Sequence, residues 1–229
     1  MKNILQTVLI VFTLITSINT YAQGRGGEGK HNMFGLKVGA TQFNILTDNM
    51  VVTPEMGFIG GIATRGDFYN NWDIQLGMNI SNNKLTVPGR QLIVTPIKEI
   101  EYSILNAQVQ VLLGYKIIGN NRNMQSDFKL TAEIGPVLMI NSKMKLADDD
   151  YENYIIEEAN ITAKQLTDIT PINFNGLVGL SMGLERLRVF GHYQYGFNNI
   201  LNNLNKIEGA TQKYKGNVSM FQFGALIYF

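Results

Sequence analysis

His192 is the one histidine of this 229-residue chain that falls inside a patterned segment, and Ser181 and Glu133 occupy the same polar face of nearby segments. A hydroxyl nucleophile, an imidazole base and an orienting carboxylate within hydrogen-bond reach would constitute a hydrolytic site. No spacing motif of a known nucleophile surrounds Ser181, so the types are present without the signature. The second histidine, His31, lies far away in a glycine-rich stretch, and two histidines without any cysteine make no zinc constellation. The absence of cysteine also excludes disulfides and thiol catalysis. Seven side chains recur on polar faces: Lys37, Arg65, Asp73, Lys129, Glu133, Arg188 and His192. Their mixed signs predict a network that neutralises itself in an interior, with a proton or ion path as the rarer use of such a set. The run Asp148-Asp149-Asp150 attracts cations in principle, but the ligand spacing of a calcium loop is missing. No cofactor site is expected.

The segments carrying these residues alternate with period two. In WDIQLGMNIS, 72–81, Trp72, Ile74, Leu76, Met78 and Ile80 share one side, an arrangement no helix provides. Similar strands are expected at 34–43, 57–66, 100–116, 127–140, 172–184, 187–198 and 221–229. In 57–66 the face is undecided, because Phe58 and Ile62 compete with Ile59 and Ala63. In 100–116 the apolar parity changes between Ile104 and Ala107, which predicts a bulge near Leu105. Pro136 predicts a bend or a break in pairing. The connections alternate between long (44–56, 82–99, 141–171, 199–216) and shorter (67–71, 117–126, 185–186), so an up-and-down meander has long loops at one rim and tight turns at the other. Outer-membrane barrels have that asymmetry.

Alternation alone leaves open whether the oily face looks in or out. A secreted lipocalin-like barrel has it inside, and its outer face is dense in charge. Here charged residues make up only 16% of the chain, and the polar faces are mostly Gly, Asn, Gln, Ser and Thr, as a crowded lumen requires. Aromatic residues collect at both strand ends: Phe34, Trp72, Tyr115, Phe128 and Phe229 at the short-turn end, Phe58, Tyr102, Phe174, Phe197 and Phe221 at the other. Two girdles belong to transmembrane barrels. The reading is an all-β, eight-stranded, antiparallel up-and-down transmembrane β-barrel over 34–229, with Phe229 as girdle residue and assembly signal. Its last strand is expected to close against the first, because unpaired backbone groups are costly in lipid.

Ahead of it, Lys2, the apolar run Ile4–Ile18 and the small residues of Thr20-Tyr21-Ala22 predict a cleaved signal peptide over 1–22. A flexible leader is expected over 23–33. A formal charge of +1 gives no basic field for nucleic acid. The 141–171 loop holds three lysines against seven carboxylates, a net charge of −4, and is expected to stay solvated outside. Within it Asp148, Asp149, Asp150, Tyr154, Ile155 and Ile156 are the candidates for a protein contact or a short helix.

With GLKVGATQF as first strand, GFIGGIATRGDF as second, the Tyr-Ala-Gln junction and FGALIYF at the end, the chain resembles the PorT-like outer-membrane β-barrel family over 34–229. The resemblance implies an eight-stranded barrel in the bacterial outer membrane, assembled by the barrel-assembly machinery and surrounded by outer-membrane lipid. One member of that family is linked to secretion and gliding machinery, and the strand patterns carry no activity of their own. An eight-stranded interior is filled by side chains, so a general porin is not expected. The implied role is a non-enzymatic structural or interaction module. The alternatives are a soluble lipocalin-like binding barrel and a lipid-modifying barrel enzyme using His192.

Overall fold

The computed structural model describes residues 32–69, 71–92, 95–119, 128–207 and 212–229. The expected signal peptide, the leader up to His31 and Asp127 lie outside these. Eight long strands follow one another: β1 (Asn32–Leu46), β2 (Met56–Tyr69), β3 (Trp72–Arg90), β4 (Lys98–Ile118), β5 (Lys129–Asn141), β6 (Ile172–Gly183), β7 (Leu187–Gly196) and β8 (Asn217–Tyr228). Each pairs antiparallel with the next. β8 then pairs with β1 from Gly35↔Tyr228 to Leu46↔Asn217, so the ring is closed and no edge is left open. The Phe229 amide continues this seam, donating to the Phe34 carbonyl at 2.8 Å.

Alternating apolar side chains point outward and their polar neighbours point inward. Phe34, Leu36 and Val38 on β1, Leu180 and Met182 on β6, and Phe223 and Ile227 on β8 are all exposed. Lys37, Gln75, Gln110, Gln194 and Gln222 are buried between them. This orientation removes the soluble-barrel alternative, whose apolar faces would line the interior. On β2 the ambiguity resolves with Ile59, Ala63 and Arg65 inside and Phe58 outside. The two girdles are in place: Phe34, Trp72, Tyr115, Phe128 and Phe229 face outward at the short-turn rim, where Trp72 and Tyr115 meet edge to face at 4.9 Å. Phe58, Phe174, Phe197 and Phe221 face outward at the other.

Three expectations about β3 and β4 are corrected. There is no bulge near Leu105, because the β3–β4 ladder runs unbroken from Trp72↔Tyr115 to Gly89↔Lys98. What changes is the surroundings. Beyond Leu105 the inward face turns apolar, with Ile100, Tyr102 and Ile104 buried opposite Leu85 and Val87. The outward face turns polar there, with Lys84 paired to Glu101 at 2.5 Å. Tyr102 is therefore a core residue and not a girdle one. The expected loop 82–99 is likewise mostly strand: β3 has 19 residues and β4 has 21. About 9 to 11 tilted residues cross a bilayer, so roughly half of this hairpin stands in water. Pro136 behaves as expected on one side only: the β4–β5 ladder skips Gly135 and Pro136 without changing register, while the β5–β6 ladder passes through both. The true register shifts lie at the short-turn rim, between Asp67 and Tyr69 and between Lys116 and Ile118.

Candidate functional site

The lumen of the barrel is built from one inward position in every two on each strand. Glu133 on β5 is its hub. Its carboxylate pairs with Arg65 from β2, accepts from the Ser181 hydroxyl at 2.5 Å, and meets His192 Nε2 at 2.7 Å. Arg65 spreads its fork further, donating to Asp73 at 3.2 Å, to Gln75 at 2.6 Å and through Nε to the Tyr228 hydroxyl at 3.1 Å. Charge-assisted, multidentate pairing of this kind is what makes buried charges tolerable. Two glycines make the room. A β-carbon at Gly114 would overlap the Asp73 carboxylate, and one at Gly179 would overlap the His192 ring.

Lys37 stands apart from the carboxylates. Its amine donates to Gln222 at 3.1 Å and sits 4.4 Å over the Phe190 ring, and Gln222 donates onward to Gln194 at 2.8 Å. Among the described residues Arg188 makes one hydrogen bond, to the Thr131 hydroxyl at 3.4 Å, and its guanidinium lies 5.9 Å from the centre of the Tyr228 ring. Six of the seven polar-face residues expected in the lumen are thus buried there. The seventh, Lys129, is half-buried at the short-turn rim, and no hydrogen bond joins it to this network. Lys116 supplies an ion pair at that level instead, with Asp67.

Ser181 and His192 do come together, but in the wrong order for hydrolysis. Each is bonded to Glu133 and neither to the other, so the imidazole is not placed to take the Ser181 proton. Among the described residues no group of His, Asp or Glu is placed to hold a metal ion.

Above the charges lies a belt that the sequence reading did not single out. Thr41 donates to Asn83 at 2.6 Å, Asn83 to Asn106, Asn106 to Asn141 at 2.5 Å, and Asn141 to Asn173 at 2.5 Å, linking five of the strands. The inward-facing asparagines of the alternation were the available signal.

The belt is roofed by an apolar core. Phe43, Leu85, Ile100, Tyr102, Met139 and Met220 from the strands pack with Ile156, Ile161, Ala163, Leu166, Ile200, Leu204 and Tyr214 from the long connections. The 141–171 segment is therefore a folded cap and not a purely solvated loop. Lys145–Leu146 pairs with β4, Ile155–Ile156 pairs with the outer end of β3, and Ala163–Leu166 forms a helical turn. Thr162 and Gln165 close that turn with a capping box, and Tyr102 donates to the Ala163 carbonyl at 3.2 Å. Of the six candidate contact residues, Ile156 is wholly buried and Tyr154 partly so. Asp148, Asp149 and Asp150 are exposed, Asp148 capping the short turn through the Asp150 amide, and Ile155 is exposed as well. On this surface the Lys164 amine is raised above its usual range by its hydrogen bond to Glu152.

A family model described as "Outer membrane protein beta-barrel domain" matches residues 21–202. A comparison with curated protein sequences found no match. Among solved structures, the chain is similar to Neisserial surface protein A at 12% identity and a TM-score of 0.46, over 88% of this chain and 100% of that one. It is similar to the attachment invasion locus protein Ail of Yersinia pestis, solved with the heparin analogue sucrose octasulfate, at 14% identity and 0.45, over 87% and 99%. OprG from Pseudomonas aeruginosa gives 15% and 0.46, over 87% and 97%.

Proposed function

The chain belongs to the family of outer membrane protein β-barrel domains, and on that premise we propose that it is a non-enzymatic module presenting a rigid, folded cap to the outside of the cell. Its place is the bacterial outer membrane. The observation that carries the role is the roof over the lumen: the long connections spend their apolar residues on a common core with the strand ends. Loops on a rigid scaffold are where such proteins carry recognition. The packed lumen below and the roof above speak for contact rather than conduction, and the bonding of both Ser181 and His192 to Glu133 speaks against hydrolysis. The finer kinship with PorT-like barrels, cleavage after Ala22 and recognition of the Phe229 end by the assembly machinery belong to the same proposal.

The cap offers a partner the exposed Asp148, Asp149 and Asp150 beside Ile155. Amine-reactive cross-linking of intact cells through Lys143 and Lys164, both on the cap surface, tests the role. A discrete adduct that disappears when Asp148, Asp149 and Asp150 become asparagine, with the gel mobility of the folded barrel unchanged, is the expected result. An adduct that survives those changes, or none in cells that display the protein, would refute it.

A further inference from the structure

The outer wall of the barrel is dented on the cap side of its apolar band. The dent spans β5, β6 and β7, has a volume of about 460 Å³ and is almost wholly apolar in its lining. Register accounts for it. Gly176 on β6 pairs with Pro136 on β5 and with Tyr195 on β7, so one outward row carries a proline, no side chain, and a tyrosine. The next outward row toward the short turns, Ile134, Val178 and Tyr193, is complete and closes the lower end. At the upper end Phe197, whose amide donates to the Phe174 carbonyl at 2.9 Å, reaches back over the glycine. A β-carbon on Gly176 would stand 2.8 Å from that ring, and Tyr195 meets the ring edge to face at 6.1 Å.

The lining carries no charged side chain. The Tyr193 hydroxyl accepts from Ser219 at 3.2 Å, and Asn175 turns its amide inward to the Met139 sulfur at 3.8 Å. The chemistry that fits is therefore hydrocarbon. The dent is continuous with the exposed apolar band, which in an outer-membrane barrel is already an interface with lipid chains. The wall of a second barrel is convex and would bridge the rings without filling the space between them. A slender, flexible row of methylenes fills it. Within lipid, leaving one apolar contact for another brings no hydrophobic gain, so preference comes from packing, and a concave surface touches a chain on more sides than a flat one.

We propose that the dent bounded by Pro136, Gly176, Tyr193, Tyr195 and Phe197 is a binding site for one fatty acyl chain of a membrane lipid in the cap-side leaflet. The chain lies over Gly176 against the aromatic rings, and it is held in preference to the chains around the rest of the barrel. This site is separate from the polar lumen and from the exposed carboxylates of the cap.

The test places the folded protein in phosphatidylcholine bilayers containing a trace of phosphatidylcholine with a diazirine on its acyl chain, at mid-chain or near the end. Irradiation is followed by peptide mass spectrometry. Labelling of 193–197 should exceed that of the exposed apolar positions of β1 and β8 about threefold at one of the two depths, as tighter packing requires. Val178→Trp fills the dent from its lower end and should bring 193–197 down to the level of β1 and β8. Leu180→Trp, the next outward position on β6 and outside the dent, should leave the excess unchanged. Both variants exchange one exposed apolar side chain for another, and both should keep the gel mobility of the folded barrel. The proposal is overturned if labelling is even around the barrel at both depths, or if the excess survives in folded Val178→Trp. Protection of 193–197 from label together with a cross-linked dimer would give the dent to a second copy, and would overturn it as well.

Discussion

Arg65 donates through Nε to the hydroxyl of Tyr228 at 3.1 Å, tying the second strand to the penultimate residue of the chain across the lumen. The same hydroxyl donates to Gln75 at 3.1 Å, and the ring stands 5.9 Å from the guanidinium carbons of both Arg65 and Arg188. The last strand therefore closes the seam with its backbone and stoppers the mouth with its side chain.

Tyr228→Phe keeps the stopper and removes both hydrogen bonds. Leaving the Arg65 Nε unpaired in a buried site should cost about 1–3 kcal/mol. Urea unfolding in detergent measures it, and a loss below 0.5 kcal/mol (roughly the floor for a satisfied bond) would mean the contact is idle.

Glu133→Gln strips the hub of its charge while keeping its shape. Arg65 then retains only Asp73 as ion partner, and the expected loss is about 3–5 kcal/mol, as for one member of a buried pair. Arg65→Met should lose at least as much, because Asp73 and Glu133 are then buried without their cation, and Arg65→Met combined with Glu133→Gln should lose less than the sum of the two. The four-way cycle of unfolding energies decides, and simple additivity would contradict a shared network.

Val38→Arg places a charge on the exposed apolar band of β1, at an expected cost of about 2–4 kcal/mol in lipid. Leu46→Arg, outward at the far end of the same strand, should cost about 0–1 kcal/mol. Folding yields in phospholipid vesicles compare the two, and equal costs would place the band elsewhere.

Leu166→Ala opens a cavity in the roof, where Leu166 is 1% exposed, at an expected cost of about 2–5 kcal/mol to the cap. Limited proteolysis should then cut within 141–171 while the barrel keeps its folded gel mobility. Simultaneous loss of both would mean that cap and barrel unfold as one unit.

The barrel, its closure and its polar lumen were legible because lipid imposes a strict alternation, and 72–81 or 221–229 obey it residue by residue. Arg65, Asp73 and Glu133 were recognisable as charges on a polar face, but their grouping about one carboxylate depends on register between strands, which one sequence does not display. The reading failed where the solvent changed. Ile100, Tyr102 and Ile104 keep the inward parity of Asn106 and Gln108, yet become apolar because water lies outside them and a roof inside. In a lone sequence that exchange looks the same as a slipped residue. Lys129 shows an end effect: its parity is inward, but as the first residue of β5 it is only half covered by the wall. The asparagine belt was hidden by its ordinariness, since each member is one more polar residue in a polar series.

Along β3 the outward sequence passes from Ile80 through Asn82 to Lys84, while the inward one passes from Ser81 and Asn83 to Leu85. Both sides of one ribbon thus trade character within a few residues, and the barrel carries its own waterline. Sinking by a single pleat would drag Lys84 and Glu101 into oil, and rising by one would strand Ile80 in water. A thinner or thicker bilayer must therefore bend to meet this protein, or the protein must lean, because it cannot slide.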